Sequence, residues 1–315
     1  MNPTDGYQER SHVPGLEPGK YKGVHLPTPV QIAFKNILFA MDFSSTTGLA
    51  LPFAVEIARR SGATIHAVHV VQPDIYPLVP PSEWQKMAQE EKEFREEKRN
   101  QLEEEFQGLP HEFLFPAGNV WENIANIVED KNIDLLILGT HGRTGMEKIL
   151  LGSVAEKIFR QATCPVLTVG PYVPPKASHA TAAPLGRILY ATDFSLESLA
   201  AAPYATYLAK ENRAELILMH SIQNAETDEV NSAYHSLREV VPASVRLESK
   251  LRCIVERGMP QATILDVAAK HRVDMIVLGV RSVPGHATTA ITHFSRSVAY
   301  QVASQAACPV LTVRG

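Results

Sequence analysis

The sequence lacks most of what would mark a secreted, membrane-spanning or nucleic-acid-binding protein. Its 315 residues include three cysteines, Cys164, Cys253 and Cys308, too few and too scattered for a disulfide framework or a zinc site. The twelve histidines show no ligand spacing with cysteines or acidic residues, so no metal site is expected. No run of 18 or more apolar residues occurs, which excludes a membrane-spanning helix. A basic excess is missing too: 30 Lys and Arg stand against 34 Asp and Glu, a net charge of -4. Nucleic acid and anionic membrane surfaces both reward basic patches, so neither is an expected partner. The first thirty residues contain Pro, Gly and charges but no apolar core of a leader peptide. Residues 1–32 therefore read as a disordered arm, and the expected compartment is the cytoplasm. The phosphate-binding patterns G-x-x-x-x-G-K-[ST] and G-x-G-x-x-G are both absent.

What is present is a composition of 45% apolar and 20% charged residues, that of a soluble globular protein long enough for about two domains. The chain also repeats itself. "ILFAMDFS" (Ile37 to Ser44) returns as "ILYATDFS" (Ile188 to Ser195), and "AVHVVQ" (Ala67 to Gln72) as "LMHSIQ" (Leu218 to Gln223). "DLLILG" (Asp134 to Gly139) returns as "DMIVLG" (Asp274 to Gly279), and "CPVLTV" at Cys164 recurs letter for letter at Cys308. The order is kept, at offsets between 140 and 151. A period that long makes each copy a domain, here 33–170 and 187–315. The proline-bearing stretch 171–186 between them reads as a linker.

Within each copy, short apolar runs alternate with helical patterns. "NILFAM", "ATIHAVHVV", "HEFLFP", "DLLILG" and "PVLTVG" read as strands, the apolar ones buried on both faces. Between them, Leu49, Phe53 and Ile57 recur at helical spacing behind an N-cap at Ser44 or Ser45, and further helices follow from Ser82 to about Gln107, over "NVWENIANIVEDK" and over "SVAEKIFRQA". The second copy repeats the alternation. This predicts α/β architecture: two tandem open parallel-sheet sandwiches of about five strands each, with right-handed crossovers. Ligands of such sheets sit at the carboxyl ends of the strands. Asp42, Val70 and Gly139 all fall there, and so converge on one rim.

The loop "GTHGRTGMEKILLGS", Gly139 to Ser153, carries further chemistry. Glycines between a strand and a helix let the backbone approach a ligand, successive N–H groups can form an anion nest, and the helix N-terminus adds unpaired donors. Ser153 can donate to a phosphate oxygen or cap its helix, and Gly152 keeps the approach open. A tight structural connection would also use glycine, and Asp42 would also serve to cap the following helix.

The duplicated sequence resembles the universal stress protein family in its tandem form. The family's signature G-x2-G-x9-G-[S/T] is met by Gly139, Gly142, Gly152 and Ser153, amid "ILFAMDFS", "VHVV", "LLGSVAEK" and "CPVLTV". The resemblance covers about Ala33 to Gly170 and Arg187 to Gly315. It implies an adenine nucleotide α-hydrolase-like, Rossmann-like domain that binds ATP or a related adenine nucleotide. Asp42 and Ala40 would lie by the adenosine, Val70 would contact the adenine through its backbone, and Leu138 and Gly139 would lie against the nucleoside. Gly142, Gly152, Ser153 and Val154 would hold phosphates bridged by Mg²⁺ or Mn²⁺. It further implies dimerisation through the final strand. The two copies could then pair as an internal pseudo-dimer and two chains associate as a homodimer.

The second copy departs from the signature. Gly279 is kept, but Ser282 and Arg296 replace two motif glycines, and thirteen residues separate them instead of nine. The second domain is therefore not expected to bind ATP in the same way; a degenerate copy, a site for a different anion and an Arg296 reaching across the interface all remain open. The charge-rich helix after Ser82, with Trp84, Met87, Phe94, Leu102 and Phe106 available for packing, reads as a solvated face. Cys164 and Cys308 read as buried packing residues. The function expected is an ATP-binding stress-response sensor or regulator with no catalytic residue. The alternatives are a slow ATPase or phosphotransferase, and a scaffold that binds no nucleotide and acts through dimerisation.

Overall fold

The computed structural model describes residues 32–71, 80–140, 151–175, 185–223, 227–243, 250–281 and 297–315. The arm through residue 31, Gly142, linker residues 176–184, Ser282 and Arg296 lie outside the described residues.

The first half contributes strands β1 (Asn36–Ala40), β2 (Thr64–Val68), β3 (His111–Leu114), β4 (Leu135–Gly139) and β5 (Val166–Val169), with helices α1 (Ser45–Ser61), α2 (Trp84–Glu105), α3 (Val120–Asp130) and α4 (Ser153–Gln161) between them. The second half contributes β6 (Arg187–Ala191), β7 (Glu215–Ile222), β8 (Leu251–Arg257), β9 (Met275–Val280) and β10 (Val310–Arg314). Its helices are α5 (Leu196–Leu199), α6 (Ala202–Asn212), α7 (Thr227–Glu239), α8 (Pro260–Lys270) and α9 (Val298–Gln305). Where the first copy runs one helix through Pro52, the second divides it into α5 and α6, with Pro203 in the first turn of α6. There a missing N–H costs nothing.

Strand order is β3-β2-β1-β4-β5 in the first half and β10-β9-β6-β7-β8 in the second, parallel throughout each half. The chain reverses its winding between β1 and β4, and again between β6 and β9. These are the switch points at which open α/β sheets leave a crevice beyond the strand ends.

The halves do not form separate sheets. β5 and β10 pair antiparallel, Val310 opposite Thr168 and Thr312 opposite Val166, making one continuous ten-stranded sheet. The Thr168 hydroxyl donates to the Val310 carbonyl at 3.2 Å, and the Thr312 hydroxyl to the Val166 carbonyl at 3.2 Å. Successive residues of the central strands point to opposite layers: Ile37 and Phe39 into one, Leu38 into the other. Each layer's core continues through both halves, one under α1 and α6, the other under α4 and α9. Phe34, just before β1, packs edge-on against Tyr207 of α6 at 5.4 Å and so belongs to both halves.

Candidate functional site

At the first switch point a cavity of about 540 Å³ opens beyond the carboxyl ends of β1, β2 and β4. This is within the range of about 300–1,000 Å³ typical of small-molecule sites. Ala40, Asp42, Val70, Leu138, Gly139, Gly152, Ser153 and Val154 all line it. Of the residues singled out in the sequence, Gly142 lies outside the described residues.

Its polar side is built around Asp42. Ser44 caps α1, its hydroxyl accepting from the Thr47 N–H, while Asp42 Oδ1 accepts the Ser44 N–H at 3.0 Å and the Thr47 hydroxyl at 2.6 Å. Burial pushes the carboxyl up, but the hydrogen bonds from Ser44 and Thr47 outweigh it and hold Asp42 below the ordinary aspartate value. Asp42 is thus an ionised acceptor and a weak base. Next to it Phe43 adopts a left-handed conformation, φ 60°, which costs a non-glycine residue about 1–3 kcal/mol. Its ring is held against the His69 ring at 4.8 Å and edge-on to Phe94 of α2 at 5.3 Å. The Nδ1 of His69 lies 2.9 Å from the Met41 carbonyl, fixing the end of β2 to the end of β1.

The other side is the start of α4. Its N-cap is Gly152, without a side-chain hydrogen bond, and Ser153 and Val154 are exposed. The Gly152 N–H donates to the Thr140 carbonyl at 2.8 Å, which ties the helix start to the end of β4. The first turn of α4 and the positive end of its dipole therefore line the cavity behind an N-cap that has no side chain of its own. Gly139 has a packing reason as well as an approach reason: a Cβ there would lie 2.8 Å from the Thr46 hydroxyl and 2.9 Å from the Thr47 nitrogen.

One wall was not foreseen. Helix α2, read as a solvated face, gives the cavity Met87, Glu91, Phe94 and Arg95, all half-buried. They sit at i, i+4, i+7 and i+8, one helical stripe. Only that spacing, overlaid by many charges, marked them in the sequence. Among the described residues no group of three or more His, Cys, Asp or Glu could hold a metal ion, and no helix is long and apolar enough to cross a membrane. Cys164 and Cys308 are buried, which pushes both thiols up to about 12.

The second half repeats much of this rim. Phe194 has φ 62° and packs against His220 at 4.6 Å. His220 Nδ1 lies 2.8 Å from the Thr192 carbonyl, and Asp193 Oδ1 accepts the Ser195 N–H at 3.0 Å. Burial keeps His220 below the ordinary histidine value despite that hydrogen bond and the Asp193 charge. A cavity of about 590 Å³ opens beyond β6, β7 and β9.

The universal stress protein family model matches residues 33–170 and again 184–314. A universal stress protein of Methanocaldococcus jannaschii is 36% identical over 142 residues, covering 43% of this chain and 82% of its own length. A universal stress protein A homologue of Coxiella burnetii is 34% identical over 145 residues, covering 43% of this chain and 96% of its own length. Among solved structures, a universal stress protein from Archaeoglobus fulgidus superposes with a TM-score of 0.70 at 21% identity, covering 90% of this chain and 97% of that one. With both halves matched and the tandem fold shared, the chain belongs to the universal stress protein family.

Proposed function

We propose that the first cavity binds ATP or a related adenine nucleotide, and that occupancy lets this cytoplasmic stress-response protein act as a sensor or regulator. The observation that carries the reading is the pairing of opposite chemistries across one cavity. An ionised, hydrogen-bonded Asp42 suits ribose hydroxyls, and the side-chain-uncapped start of α4 at Gly152 suits phosphate. Apolar Val70, Leu138 and Ile124 between them suit a planar base. With no cluster of metal ligands among the described residues, Mg²⁺ or Mn²⁺ would arrive on the phosphates. Asp42, held below its ordinary value, is poorly suited to take a proton from an attacking water, which supports binding over turnover. Two chains would associate as a homodimer beyond the internal pairing of β5 and β10.

The test is to purify the protein, denature it and identify released nucleotide by mass, then to incubate it with ATP and Mg²⁺ and follow product. The expected result is bound, largely unhydrolysed nucleotide, lost in Gly152→Arg and weakened in Ser153→Ala. Rapid turnover abolished by Ser153→Ala would replace the sensor with an enzyme, and no retained or added nucleotide would leave the scaffold.

A further inference from the structure

With β5 and β10 paired inside the chain, the ten-stranded sheet ends at β3 on one side and β8 on the other. β3 has four residues, and so short an edge strand offers little for another chain to pair with. β8 has seven, Leu251 to Arg257, "LRCIVER". It contains no proline and keeps an unbroken register along β7, from Leu216 opposite Leu251 to Ile222 opposite Arg257, so no bulge twists it away from a partner. Among the described residues no strand pairs with its far side.

The ladder fixes which groups that far side presents. The Leu216 N–H donates to the Lys250 carbonyl at 2.8 Å, and the Gly258 N–H to the Ile222 carbonyl at 3.0 Å. Even-numbered residues thus turn their backbone groups to β7, and Leu251, Cys253, Val255 and Arg257 turn theirs outward. The same alternation sorts the side chains. Leu251, Cys253 and Val255 pack on one core layer and Ile254 on the other, with Arg252 and Glu256 flanking Ile254 on its face.

This strand is self-complementary about Ile254. Laid antiparallel on a second copy with Ile254 opposite Ile254, its outward residues fall into hydrogen-bonded pairs, Cys253 with Val255 and Leu251 with Arg257. The positions between them set Arg252 of one chain opposite Glu256 of the other, twice by symmetry. Moving the centre to Cys253 or Val255 shortens the overlap and sets Ile254 against a charge. Arg252 is exposed, and its Nε donates to Glu215 Oε1 at 2.7 Å, which holds the guanidinium on the face that the partner's Glu256 would meet. Among the described residues Glu256 has no ion pair within its own chain.

We propose that β8 is the homodimer surface: two chains pair edge to edge, antiparallel about Ile254, with two Arg252–Glu256 pairs setting the register. The inference rests on the homodimer reading and names the surface for it.

Sedimentation velocity of the full-length protein over a range of concentrations tests it. The wild type is expected to dimerise reversibly. Glu256→Arg sets arginine against arginine at both positions and should raise the dimer dissociation constant about tenfold. Arg252→Glu sets glutamate against glutamate and should do the same. An equimolar mixture of the two variants restores both opposite-charge pairs and should dimerise as the wild type does. Arg252→Glu also loses the Glu215 contact, so if it fails to fold, Val255→Pro takes its place; that change removes an N–H pointing away from β7 and should weaken the dimer. Ile254→Cys, in a Cys253→Ser chain, should oxidise to a covalent dimer, because opposed residues at a non-hydrogen-bonded position have Cα atoms about 4.5 Å apart. A wild type that stays monomeric overturns this surface and the homodimer reading together. A dimer that Glu256→Arg and Val255→Pro leave unchanged overturns the surface alone and moves the homodimer to another face. A mixture that stays monomeric, or an Ile254→Cys chain that forms no cross-link, overturns the register about Ile254.

Discussion

A methyl group on Gly139 would lie 2.8 Å from Thr46, and one on Gly279 would run into the Glu197 carbonyl oxygen. Both glycines are therefore required by the helix start packed over the strand end, whatever binds nearby. We expect Gly139→Ala to lower stability by about 1–3 kcal/mol, the usual cost of overpacking, and Gly279→Ala to cost more. Urea denaturation of the ligand-free protein reads both, and an unchanged midpoint would show that the helices yield freely. The same contact explains what could and could not be read from the letters. Gly139 was legible as a glycine the fold needs, but its partner Thr46 is remote in sequence, so packing and ligand approach could not be separated there. Gly152 was legible too; that Ser297 caps its helix while Ser153 does not depends on where each helix begins, a matter of a single residue. Protonation acts at this scale as well. His220 lies below its ordinary value of 6.5, so on acidification the unfolded chain takes up that proton first. The stability it contributes is complete above about 6.5 and is lost as the pH falls through the folded value. Asp42 and Asp193, also lowered, lose theirs as the pH falls below 3.8. The urea midpoint should drop between pH 7 and pH 5, and His220→Gln should reduce that drop.

At the scale of the element, α2 shows why a helix can be found in a sequence while its role is missed. Its charges form i,i+4 pairs such as Lys92 with Glu96 at 3.9 Å and Arg99 with Glu103 at 3.5 Å, and these dominate its pattern. The buried anchors Leu102 and Phe106 hold the C-terminal end to the core. Toward the other end, Met87, Glu91, Phe94 and Arg95 lean over the first cavity. Phe94 is the consequential member, because its contact with Phe43 braces a strained residue next to Asp42. Phe94→Ala should weaken nucleotide binding about fivefold, the worth of one aromatic pair near 1 kcal/mol, and leave the second cavity untouched. Lys92→Ala, on the exposed side of the same helix, should bind as the wild type does; equal losses in both variants would return α2 to a mere solvated face. The helices and strands themselves were legible because each apolar run and each 3.6-residue stripe is consistent with its neighbours.

For the whole molecule, the duplication made two similar halves plain, but their fusion into one sheet rests on how the final strands meet. Those strands read "PVLTVG" and "PVLTVR", and the single differing letter breaks the symmetry of the seam. Arg314 extends from β10 to the C-terminal end of α4, donating from Nε to the Ala162 carbonyl at 3.0 Å and from Nη2 to the Phe159 carbonyl at 3.0 Å. Its Nη1 donates to the Arg281 carbonyl at 3.4 Å, beside the second cavity. Gly170 holds the equivalent place in the first half, where an added Cβ would lie 3.7 Å from the Ala303 and Ala306 carbonyls at the end of α9, and it brings no charge to them. A guanidinium at a helix C-terminus meets both its free carbonyls and the negative end of its dipole. The clamp is therefore one-sided, holding the helix that begins at the first cavity onto a strand of the second half. Arg314→Met keeps most of the apolar stem and removes the donors. It should lower the stability of the full chain by about 1.5–3 kcal/mol, the range for hydrogen bonds from a charged group. Because the core layers run through both halves, urea should still unfold the variant in a single transition at a lower midpoint. A split into two transitions would show instead that Arg314, and not the shared core, makes the halves one cooperative unit.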